Sequence, residues 1–202
     1  MDRYGARPLK VFIVDDHDIV RRGLEDLLGN KRDISVVGGS GSATDAVRKI
    51  ARSRPDVMML DLHMRDGSGV TVCRQVRKAD PAIKGLLLTA AEDDEALASA
   101  VVAGAHGYVL KESRTIELVD ALRRLGSGEP LLRAMDVRRV VAWLTTQRGD
   151  AKLSAGERRT IDYVLSGLEG TQPGDPVGAS DEELEPEVGD LVRNLVWTSA
   201  HR

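Results

Sequence analysis

The chain has a single cysteine, Cys73, so it has no internal disulfide framework, and it suits a reducing compartment. No apolar run approaches the ~18 residues of a membrane-spanning helix, so no transmembrane segment is expected. Met1 to Lys10 lack the apolar core of a secretory signal, and a cytoplasmic location is the expectation. Basic residues are missing from one long stretch: between Glu169 and Val192 there is no Lys or Arg. Residues 1–150 hold 24 Lys+Arg against 22 Asp+Glu, whereas residues 151–202 hold 5 against 10. Such an acidic segment is poorly suited to a phosphate backbone. The rest is globular in composition, 42% hydrophobic and 30% charged over 202 residues. That length allows one good core plus a smaller second unit.

What is present is a run of strand and helix signals. Val57 to Leu60 is a short apolar run closed by Asp61 and a turn at Asp66-Gly67, the pattern of a strand buried on both faces. Lys10 to Val14, Ile34 to Val37, Gly85 to Leu88 and Tyr108 to Leu110 read as four more strands. Helical spacing predicts helices over Ile19–Leu28 with Asp18 as cap, through Ser53 with Ser42 as cap, and over Gly69–Lys78, Glu92–Ala103 and Thr115–Leu125. Ile19, Val20, Leu24, Leu27 and Leu28 are expected on the apolar face of the first helix, and Ile116, Val119, Leu122 and Leu125 on that of the last. Gly38-Gly39-Ser40-Gly41 reads as a loop. It is no dinucleotide fingerprint, because Thr44 stands where a third glycine is needed. Five strand–helix pairs imply right-handed crossovers, an α/β fold with a parallel five-stranded sheet and helices on both faces. That unit covers residues 9–126.

Four strands end in polar groups: Asp15 and Asp16, Asp61, Thr89 and Lys111. The winding brings these ends to one edge of the sheet, where sites of open α/β folds are built. Carboxylates gathered there repel by about 4 kcal/mol per pair at 4 Å and an effective dielectric of 20. A cation is therefore required. Lys111 supplies one charge, and a hard divalent ion such as Mg²⁺ suits the oxygen-rich cluster. The chemistry that follows is phosphoryl transfer to a carboxylate, with Asp61 attacking phosphorus in line. Lys111 would stabilise the charged oxygens and Thr89 would hydrogen-bond one of them. His17 is expected to pack or hydrogen-bond near the site without acting as a ligand, His106 to be a turn residue, and Cys73 to lie in the core.

The segments Val-Asp-Asp-His (14–17), Leu-Asp-Leu-His-Met-Arg-Asp-Gly (60–67), Leu-Thr-Ala (88–90) and Gly-Tyr-Val-Leu-Lys (107–111) stand in order, each at a strand end. With them, residues 9–126 resemble the receiver domain of bacterial two-component response regulators. The resemblance implies the flavodoxin-like (βα)₅ fold and a sensor histidine kinase as phosphodonor. It implies Mg²⁺ held by Asp15, Asp16, Asp61 and the main-chain carbonyl of His63. It also implies a switch pair, Thr89 and Tyr108, and no enzymatic activity beyond self-phosphorylation and dephosphorylation on Asp61. Arg65 stands where the family usually has proline, and Glu112 where it has Pro or Asp. A flavin-binding oxidoreductase of the same fold has no support in the loops.

Beyond the receiver, residues 127–150 read as a linker containing a helix over 133–144, with Val137, Val140, Val141 and Leu144 on one face. Leu153-Ser154-Ala155-Gly156-Glu157-Arg158 opens a further helix with a Ser154–Glu157 capping box. This resembles the first helix of LuxR-type (NarL/FixJ subfamily) DNA-binding domains. The basic recognition helix that follows in that family is missing, so residues 151–202 read as a degenerate or truncated LuxR-type helical region. Its origin has three readings: a reading frame diverted near Leu168, an output that does not use DNA, or weak DNA binding through a partner. Val188, Leu191, Val192, Leu195 and Val196 keep the spacing of an amphipathic helix. Homodimerisation on phosphorylation is expected, and no membrane partner.

Overall fold

A computed structural model describes residues 7–90, 94–129, 131–132 and 139–140. Five parallel strands form the sheet: β1 (Leu9–Val14), β2 (Ile34–Ser40), β3 (Val57–Asp61), β6 (Lys84–Thr89) and β7 (Gly107–Leu110), in the order β2-β1-β3-β6-β7. Between β3 and β6 two short antiparallel strands, β4 (His63–Met64) and β5 (Gly67–Ser68), turn the chain through Arg65-Asp66. The helices are α1 (Asp18–Gly29), α2 (Ala43–Ser53), α3 (Gly69–Ala79), α4 (Asp94–Val102) and α5 (Thr115–Gly126).

The alternation of side chains along each strand builds two cores. Met58 and Leu60 of β3 join Phe12, Val14 and Leu87 under α2, α3 and α4. Val57 and Met59 join Val11, Ile13, Leu86 and Leu88 under α1 and α5. All five residues of β3 are buried, because β3 lies between β1 and β6 with helices on both faces. This is the flavodoxin-like α/β architecture that the strand–helix alternation predicts.

Several boundaries differ from the expectation. Gly38 to Ser40 belong to β2 rather than to a loop, paired with Phe12 to Val14 after a register shift past Val11. Glycine is needed there, since a Cβ at Gly38 would lie 2.8 Å from the Phe12 ring. Asp18 is the first residue of α1, not its cap; the cap position is His17, with no side-chain cap bond. Asp18 instead pairs with Arg21 at 2.5 Å. Ile19 is 88% exposed and Ile116 is 70% exposed, so neither faces the core. Ser42 caps α2 as expected, accepting from the Asp45 N–H, and Asp66 adds to that cap by accepting from the Ala43 N–H at 3.0 Å and the Ser42 hydroxyl at 2.7 Å. Cys73 is buried in the core, where burial pushes its thiol up to about 12.

After α5 the chain returns to the sheet. The Leu131 and Leu132 N–H groups donate to the His106 carbonyl at 2.8 and 3.1 Å. Arg139 and Val140 are helical, within the expected helix 133–144. Arg139 pairs with Asp94 at 2.7 Å, and Val140 is buried. The remainder of that helix, and the region 151–202, lie outside the described residues.

His106 is more than a turn residue: its Nδ1 accepts from the Gly85 N–H at 3.3 Å. Burial, helped by the charges of Arg77 and Lys84, pulls its pKa down to about 4. An unfolded histidine titrates near 6.5, so between about pH 6.5 and 4 the unfolded chain takes up a proton that the folded chain refuses. Stability therefore falls as pH drops through that window, by up to about 3 kcal/mol. His106→Asn keeps an acceptor and removes the titration. Urea unfolding at pH 7 and pH 5 is expected to show a smaller loss for this variant than for the wild type.

Candidate functional site

The carboxyl edge of the sheet gathers the predicted groups. Asp15 and Asp16 follow β1, Asp61 ends β3, Thr89 ends β6, and Lys111 follows β7. Asp15, Asp16, Asp61 and Thr89 are all buried. One carboxylate oxygen from each of the three aspartates and a ring nitrogen of His17 lie within 4.8 Å of one another.

Local structure fixes each group. Lys111 Nζ donates to Asp61 Oδ2 at 2.6 Å and to Asp15 Oδ2 at 2.9 Å, so one ammonium bridges two strand ends. The Lys111 N–H donates to the Thr89 carbonyl at 2.7 Å, which ties β7 to β6 at this edge. Asp61 Oδ1 accepts from the His63 N–H at 3.2 Å, and Asp15 Oδ1 accepts from the His17 N–H at 2.8 Å. The Asp15 carbonyl accepts from Arg21 Nη1 at 2.8 Å. Gly69 opens α3 directly against Asp61; a Cβ there would collide with the Asp61 carbonyl oxygen.

Asp16 is held differently. Its Oδ2 accepts from the Arg65 N–H at 2.9 Å and from Arg65 Nε at 3.0 Å. The main-chain N–H of Arg65 lowers the Asp16 pKa most; burial opposes it, and the Arg65 side chain adds to the lowering. For Lys111 burial is the largest effect and acts downward, but the hydrogen bonds and charges of Asp61 and Asp15 together outweigh it, and its pKa stands above the ordinary value. Lys111 is therefore an ammonium at neutral pH.

The structure brings Asp15, Asp16, Asp61 and Lys111 together as the strand ends predict. Thr89 lies one position beyond Leu88, the register partner of Asp61. Tyr108 sits on the neighbouring strand, with Thr89 paired to Leu110, and it packs against the core under α2, α3 and α4. His63 is exposed, and its main chain touches Asp61 through the N–H. Two residues have a larger part than the sequence reading assigns them. His17 Nδ1 stands 3.0 Å from Asp16, 3.3 Å from Asp15 and 3.9 Å from Asp61. Its place directly after the acidic pair was the signal. Arg65 was visible only as a departure from proline.

The donor set fits a hard divalent cation. Three carboxylates converge against the Lys111 ammonium and the Arg65 guanidinium, and buried Asp16 Oδ1 accepts no hydrogen bond among the described residues, with the His17 ring nitrogen 3.0 Å from it. Fold and site thus define a doubly wound α/β domain with an acidic, cation-seeking pocket at its carboxyl edge. The response regulator receiver domain matches residues 11–123, more than half of the chain, and the chain belongs to that family.

Relatives agree. The DNA-binding transcriptional activator DevR/DosR of Mycobacterium tuberculosis is 37% identical over 194 residues, covering 93% of this chain and 88% of that protein. The response regulator protein VraR of Staphylococcus aureus is 38% identical over 121 residues, covering 60% of this chain and 58% of VraR. The crystal structure of a LuxR-family two-component response regulator from Aurantimonas sp. SI85-9A1 superposes with a TM-score of 0.60 at 29% identity, over 67% of this chain and 96% of that one. The chain is a two-component response regulator, and a sensor kinase is its partner by family.

Lys111→Met removes the ammonium that bridges Asp15 and Asp61. Losing one partner of a buried ion pair costs about 3–5 kcal/mol. Urea unfolding without divalent ions is expected to show a loss of that order, reduced for the partly exposed lysine. Millimolar Mg²⁺ is expected to restore more stability to the variant than it adds to the wild type.

Proposed function

We propose that the chain is a phosphorylation-controlled regulator of transcription, with Asp61 as phosphoacceptor, a sensor histidine kinase as donor and Mg²⁺ as the divalent ion. The observation that carries this reading is the Asp61 carboxylate, bridged through Lys111 to Asp15 and gathered with Asp16 within 4.8 Å. Asp15, Asp16, Asp61 and the His63 carbonyl would hold the ion, which when bound screens the phosphoryl oxygens and so lowers the repulsion met by an anionic nucleophile.

The chain's own groups do the rest. An Asp61 oxygen attacks phosphorus in line, an O–P bond forms, and the N–P bond of the donor phosphohistidine breaks. The His63 N–H and Lys111 hold the Asp61 carboxylate in place for that attack. Lys111, charged at neutral pH, stays near the new phosphoryl oxygens. Thr89 answers by hydrogen-bonding one of them, and Tyr108 turns inward, a two-state change biased by a local charge. Beyond gaining and losing its own phosphoryl group the chain performs no catalysis. No described helix is long and apolar enough to cross a membrane, and a cytoplasmic place fits the kinase partner and the lone thiol.

Transcriptional output rests on likeness to DevR/DosR. That likeness covers 93% of the chain, so at most about 14 residues fall outside it and it continues well past Leu168. A frame diverted at Leu168 would carry no likeness onward, so that origin is disfavoured. A second reading is supported by the absence of Lys and Arg between Glu169 and Val192: output through protein contacts or dimerisation instead of DNA.

Asp61→Asn is expected to abolish labelling by a cognate kinase or acetyl phosphate on phosphate-affinity gels; labelling that persists in this variant would remove Asp61 as acceptor. Gel mobility on the protein's own promoter region, with and without beryllofluoride, separates the two outputs. DNA output predicts a shift that weakens steeply with salt. No shift by a protein that still takes phosphate on Asp61 means output through protein contacts.

A further inference from the structure

We infer that Arg65 is a resident counter-ion of the pocket, competing with the divalent cation for Asp16 and so raising the metal concentration at which the pocket fills. The inference rests on the reading of Asp15, Asp16 and Asp61 as the metal-holding set.

Three bonds link Arg65 to Asp16. The main-chain N–H and Nε both reach Oδ2, at 2.9 and 3.0 Å, and Nη2 reaches the Asp16 carbonyl at 3.0 Å. A proline at this position would have no N–H to give and no guanidinium. The short β4–β5 turn presents Arg65 to the acidic pair, since the residue stands between the two strands of the hairpin. The other carboxylates have their own cation, Lys111. Arg65 therefore neutralises the one acid of the three that Lys111 does not reach.

The Arg65 side chain is 83% exposed, so it can leave Asp16 for water with little loss of buried surface. Arg65 covers Oδ2 and leaves Asp16 Oδ1, a buried oxygen that accepts no hydrogen bond among the described residues and has the exposed His17 ring nitrogen 3.0 Å away. A divalent ion on Oδ1 and a guanidinium on Oδ2 would share one carboxylate about 5 Å apart. In water-like dielectric at 0.15 M salt their repulsion weakens metal binding roughly fivefold. When divalent ions are scarce, Arg65 balances the charge of Asp16; when they are plentiful, its side chain yields.

The test is isothermal titration of MgCl₂ into the full chain, with Arg65→Gln, Arg65→Lys and Asp16→Asn alongside. Arg65→Gln keeps the main-chain N–H and drops the charge. It is expected to bind Mg²⁺ roughly fivefold tighter at 0.15 M KCl, with the gain shrinking to less than about twofold at 1 M, where the screening length is about 3 Å. Arg65→Lys keeps the charge and should stay near the wild type, and Asp16→Asn should bind more weakly than either. Equal or weaker binding by Arg65→Gln, or a gain that ignores salt, overturns the competition while leaving the metal site intact. Absence of Mg²⁺ binding in both the wild type and Arg65→Gln overturns the metal reading, and this inference with it. A thermal melt of each variant, taken first, confirms that the titrated protein is folded.

Discussion

Three buried carboxylates side by side set the terms for the whole receiver unit. Left alone they would repel by several kcal/mol. The chain answers with cations drawn from distant places: Lys111 is 96 residues from Asp15 and 50 from Asp61, and Arg65 is 49 from Asp16. No local segment could make this arrangement. It needs β1, β3, β6 and β7 to run parallel and to end together, and that needs the two cores that hold the sheet between its helices. The compensation is incomplete: among the described residues two cations answer three acids, apart from His17. The remaining negative charge is what makes the pocket seek a divalent ion and lets a phosphoryl group be stabilised there.

The same edge is joined to the far side of the domain by backbone bonds. Lys111 is tied to Thr89, and Thr89 ends the strand whose Leu86 and Leu87 lie beside Gly107 and Tyr108. At the other end of β7, the His106 carbonyl receives the chain returning from α5 through Leu131 and Leu132. Arg139 then pairs with Asp94 at the start of α4, close after Thr89. Leu131, Leu132 and Arg139, beyond α5, thus touch the start of β7 and the start of α4, near the proposed switch pair. Such contiguity is a geometric condition for passing on a change at Asp61.

Much of this was legible in the chain. Val57 to Leu60 is apolar at every position because β3 is covered on both faces, so a buried strand with an acid at its end could be read directly. The acids, threonine and lysine at successive strand ends were legible for the same reason. Helix faces were less so. Ile19 and Ile116 keep the spacing of core residues, but they lie in the first turns of α1 and α5, and neither packs into either core; period alone does not say which turn reaches the sheet. Gly38 and Gly39 looked like a loop because glycine is uncommon in strands, yet the Phe12 ring fills the space that a side chain would need at Gly38, and the Glu25 carboxylate lies where one would start at Gly39. The parts of His17 and Arg65 are tertiary facts: one depends on where a turn places a ring, the other on a hairpin folding back to β1.

On this reading the edge holds a divalent ion and a phosphoryl group on Asp61 at the same time. A crystal structure of the chain grown with Mg²⁺ and beryllofluoride tests it most directly. Beryllium is expected on an Asp61 carboxylate oxygen, Mg²⁺ beside it among Asp15, Asp16, Asp61 and the His63 carbonyl, and Lys111 against a fluoride. Beryllofluoride bound at another residue, or a metal found away from the Asp15–Asp16–Asp61 cluster, would contradict it.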